Sequence, residues 1–164
     1  MRRIDRDCTS NPEIVRRCLK QAQLINIAVN TDTVPYIIPL CFGEEEKDGK
    51  FIFYFHKARE GTLNSLIKKE CPCSFSITGR SSLFMDEEKR TCNMNYASFI
   101  GKGRVSLVES EDERNKAVRL IMEHYDRGTF NLDMRAMSAI LVYRIDTDEY
   151  TVKATKGWRN EECL

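Results

Sequence analysis

The sequence predicts an α+β protein whose mainly antiparallel sheet closes into a small barrel. Strand-like runs outnumber helix-like ones, and most are joined by short polar turns such as "NTDT" and "GEEEKDGK". The alternating strand–helix rhythm of a doubly wound sheet is missing. With 164 residues, of which 41% are hydrophobic and 31% charged, the chain fits one soluble globular domain spanning 1–164. The balance of 26 basic and 25 acidic residues leaves no basic excess, which argues against a nucleic-acid partner. No apolar run approaches the roughly 20 residues that span a bilayer, so no membrane partner is expected. The start "MRRIDRDCTSNPE" has no apolar central region, and the expected location is cytoplasmic.

The elements follow in order. In "TSNPEIVRRCLKQAQ", Ser10 or Asn11 can cap a helix and Pro12 suits its first turn. Ile14, Val15, Cys18, Leu19 and Ala22 give that helix one apolar stripe. "LINIAVN" alternates as a strand, and "VPYIIPLCF" is a second strand. Its Pro35 and Pro39 cannot donate to a ladder, so it belongs at an edge or where pairing opens. "FIFYFH" is a third strand, "GTLNSLIKKE" a short helix and "CPCSFSIT" a fourth strand. Residues 79–91 show no clean period and read as a loop. "CNMNYASFIGKGRVSLVES" is a long strand region, bent or bulged near Gly101 and Gly103. "SEDERNKAVRLIMEHY" is the clearest helix, with Ser110 as cap and acids in its first turn. "DRGTFNLDM" reads as a loop, "AILVYRI" as a strand, "DTDEY" as a turn and "TVKAT" as a last strand.

Few motifs carry chemistry. The seven cysteines include no CxxC, and Cys71-Pro72-Cys73 is too close for the usual zinc spacing, so reduced, mostly buried thiols and no metal site are expected. GxSxG and HExxH are absent, and Gly101-Lys102-Gly103 is only a fragment of a phosphate loop. His124 falls near a helix C-terminus, where a histidine is electrostatically at home. His56 differs, ending an aromatic strand just before a helix start. The junction 56–63 has a physical reason to hold an anion. Unpaired N–H groups open the helix, Thr62 adds a hydroxyl, and Lys57 and Arg59 add charge. An ordinary strand–loop–helix link with solvated basic residues is the simpler alternative.

"MRRIDRD", "VPYIIPLCFG", "FYFHKAREG", "YASFIGKGRVSLVE" and "YTVKATKGW", in that order, resemble the pyridoxamine 5′-phosphate oxidase-like FMN-binding split-barrel superfamily. Within it the chain looks most like the nitroimidazole-resistance (Nim) branch. The resemblance implies a mainly antiparallel six-stranded split β-barrel with peripheral helices. It also implies a homodimer with FMN at the subunit interface, acting as an oxidoreductase on small electron-poor acceptors such as nitro-aromatics. The flavin would lie along Ile38, Pro39 and Leu40, with Phe55 and His56 ending the neighbouring strand and His56 as the catalytic residue. Gly61, Thr62 and Leu63 would approach the phosphate, and the partner subunit would contribute Ser98 and Phe99. A non-enzymatic split-barrel protein binding flavin, haem or another planar ligand is the alternative. One position departs from the pattern. Relatives of this branch read His-x-Ala-x-Glu-Gly-x-Lys here, and the lysine position falls on Leu63, which cannot pair with phosphate. Either Lys57, Arg59, Arg104 or a partner residue replaces that charge, or binding is weaker, or the site has lost FMN altogether; a lysine restored at 63 would tighten binding if the phosphate lies there.

Overall fold

Antiparallel pairing organises most of this chain. The computed structural model describes residues 8–125 and 133–160. In order, they form β1 (Cys8–Thr9), α1 (Pro12–Lys20), β2 (Ile25–Val29), β3 (Tyr36–Leu40), β4 (Phe42–Lys47) and β5 (Lys50–Ala58). There follow α2 (Thr62–Leu66), β6 (Glu70–Thr78), β7 (Ser82–Asp86), β8 (Thr91–Asn95) and β9 (Ala97–Leu107). The described chain ends with α3 (Glu111–His124), α4 (Met134–Ala139), β10 (Ile140–Ala154) and α5 (Lys156–Asn160). One eight-stranded sheet runs β3-β2-β6-β9-β10-β5-β4, with β1 added to β10, and β7 pairs β8 separately. Only Cys41 separates β3 from β4, so the chain itself joins the two ends of the sheet order. That is the curl of a half-barrel, and the α+β, mainly antiparallel expectation holds.

The chain divides into two compact units, one from Met1–Gln23, Ser76–Ile100 and Tyr150–Leu164, the other from Leu24–Phe75 and Gly101–Glu149. In the first, Asn11 accepts a hydrogen bond from the Glu13 N–H at 2.9 Å and Pro12 opens α1, which buries Val15, Cys18 and Leu19. Trp158 of α5 is buried in the same unit. The Arg17 guanidinium lies 3.9 Å from its ring centroid, and its indole N–H donates to the Arg80 carbonyl at 2.9 Å.

In the second unit, Ser110 accepts from the Glu113 N–H, and Glu111, Asp112 and Glu113 sit at the positive end of α3. Helix α3 buries Ala117 and Ile121 against Ile52 and Tyr54 of β5 and Val142 of β10. It crosses β4 so closely that a Cβ on Gly43 would run into the Leu120–Ile121 peptide. On the other face of β5, Phe53 meets Phe75 edge-on, with ring centroids 5.1 Å apart.

The proline-bearing strand β3 is an edge, pairing only β2, as its composition requires. Several sequence expectations are corrected. The sheet has eight strands rather than six. Residues 79–91 are not simply a loop: 82–86 form β7, which pairs β8 as a hairpin. Both strands are largely exposed, so they never acquired the apolar alternation that reveals a strand. "DTDEY" is not a turn but the middle of the unbroken 15-residue β10, whose exposed stretch 148–151 carries the turn-like residues. Gly101 and Gly103 lie within continuous β9, facing the Phe75 ring and the Asp146 carbonyl. There they allow close packing. Helix α4 occupies part of the expected 126–134 loop region, whose residues 126–132 lie outside those described. Among the six described cysteines only Cys18 and Cys73 are buried, while Cys41 and Cys92 are exposed, and Cys163 lies outside the described residues. Burial pushes the Cys18 thiol up to about 11 and that of Cys73 to about 12, which keeps both protonated. No described helix is long and apolar enough to cross a membrane.

Replacing Gly43 with alanine is expected to cost about 1–3 kcal/mol by wedging α3 away from β4. A urea unfolding midpoint equal to wild type would show that the contact yields without cost.

Candidate functional site

The candidate site is built where β5 ends and the chain turns into α2. Strand β5 pairs β10 in antiparallel register, with Phe55 opposite Tyr143, His56 opposite Val142 and Lys57 opposite Leu141. Neighbouring strand residues point to opposite faces. The Phe55 and Tyr143 rings stack on one face, 5.2 Å apart and inclined by 11°. Lys57 belongs to that face. His56 belongs to the other, beside Val142 and the cluster under α3. Phe55 and His56 therefore meet different surroundings, although they adjoin in sequence.

The turn is held by several polar contacts. Gly61 adopts φ +125° and ψ 164°, a conformation open in practice only to glycine. A Cβ on Gly61 would lie 3.0 Å from Lys57 Nζ, so the ammonium lies over the bare face of the turn. Asn64 donates its backbone N–H to the Gly61 carbonyl at 3.1 Å. Its side-chain Nδ2 donates to the Ala58 and Arg59 carbonyls, and its Oδ1 accepts from the Tyr143 hydroxyl at 2.9 Å. Arg59 donates through Nε to the Ser138 carbonyl. Thr62 is exposed, while Leu63 is fully buried. Helix α2 is five residues long, a single turn, so little macrodipole stands behind its first N–H groups.

The charges sort themselves. Arg104 is paired with Glu70, and Arg59 is tied to the Ser138 carbonyl. Lys57 pairs with no carboxylate among the described residues, and partial burial pushes its ammonium below the ordinary lysine value. Of the cations in this turn, it is the one that lies over Gly61. His56 is half-buried, and burial pushes its imidazole below the usual value, favouring the neutral form. No group of three or more His, Cys, Asp or Glu side chains among the described residues could hold a metal ion.

The other expected site residues fall as follows. On edge strand β3, Ile38 and Leu40 are half-buried and Pro39 is exposed. Phe55 is fully buried in a strand paired on both sides and presents no surface to a ligand. Ser98 and Phe99 belong to the first unit. Ser98 is half-buried, and the fully buried Phe99 ring stacks on Tyr150 at 4.7 Å. Asn64 and Tyr143 were missed by sequence reading. A polar residue three places past a glycine turn was a signal for Asn64, whereas nothing in "AILVYRI" marked Tyr143. An open cleft of about 420 Å³, lined in part by Asn30, Pro35, Ser74, Lys102 and Asp148, touches none of these residues.

The family model described as pyridoxamine 5′-phosphate oxidase matches residues 11–154. No curated protein matches the chain. Among solved structures, it is similar to a candidate 5-nitroimidazole antibiotic resistance protein from Bacteroides thetaiotaomicron. The two are 21% identical with a TM-score of 0.73, over 89% of this chain and 85% of that one. It is also similar to a FAD- and heme-binding protein from Mycobacterium smegmatis, at 17% identity and a TM-score of 0.74, over 95% and 77% of the two chains. A flavocytochrome from Azotobacter vinelandii gives 18% and 0.70, over 92% and 70%. At these identities the likeness is one of fold.

Two outcomes are expected. Leu63→Lys, far from restoring a phosphate contact, buries a charge in the core and should cost at least about 2 kcal/mol in urea unfolding. A stable variant with tighter flavin binding would show that the side chain reaches the surface. Because the fold disfavours protonated His56, its neutral form supports stability above its unfolded pKa near 6.5, and that support is lost as pH falls through the lower folded value. His56→Gln should therefore lose less Tm than wild type between pH 7.5 and 5.5. Equal acid sensitivity would show that His56 titrates as if exposed.

Proposed function

Because the chain belongs to the pyridoxamine 5′-phosphate oxidase family, we propose that it is a cytoplasmic FMN-binding oxidoreductase. The observation that carries the reading is the Lys57 ammonium over Gly61, which pairs with no carboxylate among the described residues, at the turn where the family resemblance expects a phosphate. The residues present fit that group. A glycine with no Cβ leaves the backbone approachable, and Lys57 replaces the charge missing at Leu63. The names of two structural neighbours, one a flavocytochrome and one binding FAD and heme, support a flavin-type ligand.

In this reading Lys57 and the Gly61–Thr62 turn hold the phosphate, and Ile38, Pro39 and Leu40 of the edge strand border the ring. A partner subunit completes the site through the Ser98–Phe99 stretch, giving a homodimer. Phe99 is fully buried, so the half-buried Ser98 is what that stretch can offer. When bound, the flavin carries the electrons that reduce a small electron-poor acceptor such as a nitro-aromatic. His56, kept in its neutral form by burial, can give one ring N–H hydrogen bond and accept a proton at its other ring nitrogen. A second reading, ligand binding without turnover, draws on the loss of lysine at 63 and on the heme-binding neighbour.

Purified protein titrated with FMN should develop a bound-flavin spectrum that a reductant bleaches. A protein that binds no FMN overturns the proposal, and bound flavin or haem without turnover on any acceptor favours the second reading. Lys57→Ala should weaken FMN binding about ten- to hundredfold, as for one charge-assisted contact, and leave riboflavin, which lacks the phosphate, unaffected. Equal losses for both ligands would remove Lys57 from the phosphate site. His56→Ala should keep the fold and the flavin but slow acceptor reduction, and an unchanged rate would exclude His56 from the mechanism.

A further inference from the structure

Asn64 gathers more of the turn than any other side chain described there. Its backbone N–H closes onto the Gly61 carbonyl at 3.1 Å, while its amide nitrogen reaches back to the carbonyls of Ala58 and Arg59. Those contacts span the turn from the last residue of β5 to the glycine under Lys57. The amide can be oriented in only one way. Nδ2 must donate to two carbonyls, which leaves Oδ1 to accept from the Tyr143 hydroxyl at 2.9 Å. Tyr143 is itself immobilised: it is 1% exposed, paired with Phe55 across the ladder and stacked on its ring. A rigid sheet residue thus grips a side chain that grips the turn.

A phosphate-binding turn gains affinity when its backbone is ordered before the ligand arrives. Gly61 is the residue least able to order itself, because its own conformational freedom is the largest. We propose that Asn64, anchored by Tyr143, is the positioning residue of this turn, holding Gly61 and Lys57 in the arrangement that receives the phosphate. This rests on the FMN reading above. It adds a device the family pattern does not mark, assembled from one residue of the turn and one of a strand more than seventy residues later.

The test uses Tyr143→Phe, which removes one hydroxyl and keeps the ring stack, and Asn64→Ala, which removes the whole amide. Amide hydrogen exchange of residues 59–64 in the flavin-free protein is measured beside global stability by urea. Affinities for FMN and riboflavin are measured by fluorescence quenching. In both variants, exchange in the turn should rise about tenfold beyond any change in global stability. FMN affinity should fall about tenfold, and riboflavin affinity should stay within about twofold. The double variant should be no worse than Asn64→Ala, since the two residues act in series. Exchange that rises only in step with global unfolding overturns the proposal, as does a loose turn with unchanged FMN affinity. Equal losses for FMN and riboflavin also overturn it, marking a merely structural role. If wild type binds no FMN, the FMN reading fails, and with it the assignment of this turn to phosphate, whatever the exchange data show about the latch.

Discussion

The ladder between β5 and β10 is the constraint on which the candidate site depends. Its register sets Tyr143 against Phe55, and that single pairing has two consequences. It stacks two fully covered aromatic rings, and it points the tyrosine hydroxyl past the strand end toward Asn64. A slip of one residue would send Tyr143 to the α3 face and leave the turn without its anchor. The same register assigns Lys57 to the turn and His56 to the helix-covered face, so the division of labour between these adjacent residues is a property of strand alternation.

Packing on the opposite face of β5 keeps that ladder in place. Ala117 and Ile121 press α3 against Ile52, Tyr54 and Val142, and Gly43 allows the helix backbone to approach β4. The polar rim of this contact is well satisfied. The Tyr54 hydroxyl donates toward Glu45 and Glu113, Lys116 pairs with Glu45, and Arg144 bridges Glu113 and Asp146. These groups lie near the surface, where an ion pair contributes little by itself, so their main effect is to fix geometry while the apolar cluster supplies the stability.

Much of the architecture was legible in the residues. The capped helices α1 and α3 and the proline-bearing edge strand were all read from local signals, because caps, apolar stripes and missing N–H donors act within a few residues. Strand β7 and the middle of β10 were not: β7 lacks the apolar–polar alternation of a half-buried strand, and the middle of β10 carries exposed residues that look like a turn. At the site, the strand–turn–helix junction and the candidate cation Lys57 were visible in "FHKAREGTL". The choice of Lys57 over Arg59 and Arg104 was not, because it turns on which cations already have partners elsewhere.

The sequence by itself therefore determined the fold class, the family and the place of the turn, since each is written in local composition and in the order of short blocks. Only the tertiary structure decided that Leu63 points into the core, that Phe55 and His56 serve different faces, and that Asn64 is held by Tyr143. Those facts depend on burial and on pairing between segments some eighty residues apart. Strand register is a collective outcome of packing, and no single stretch of the chain encodes it.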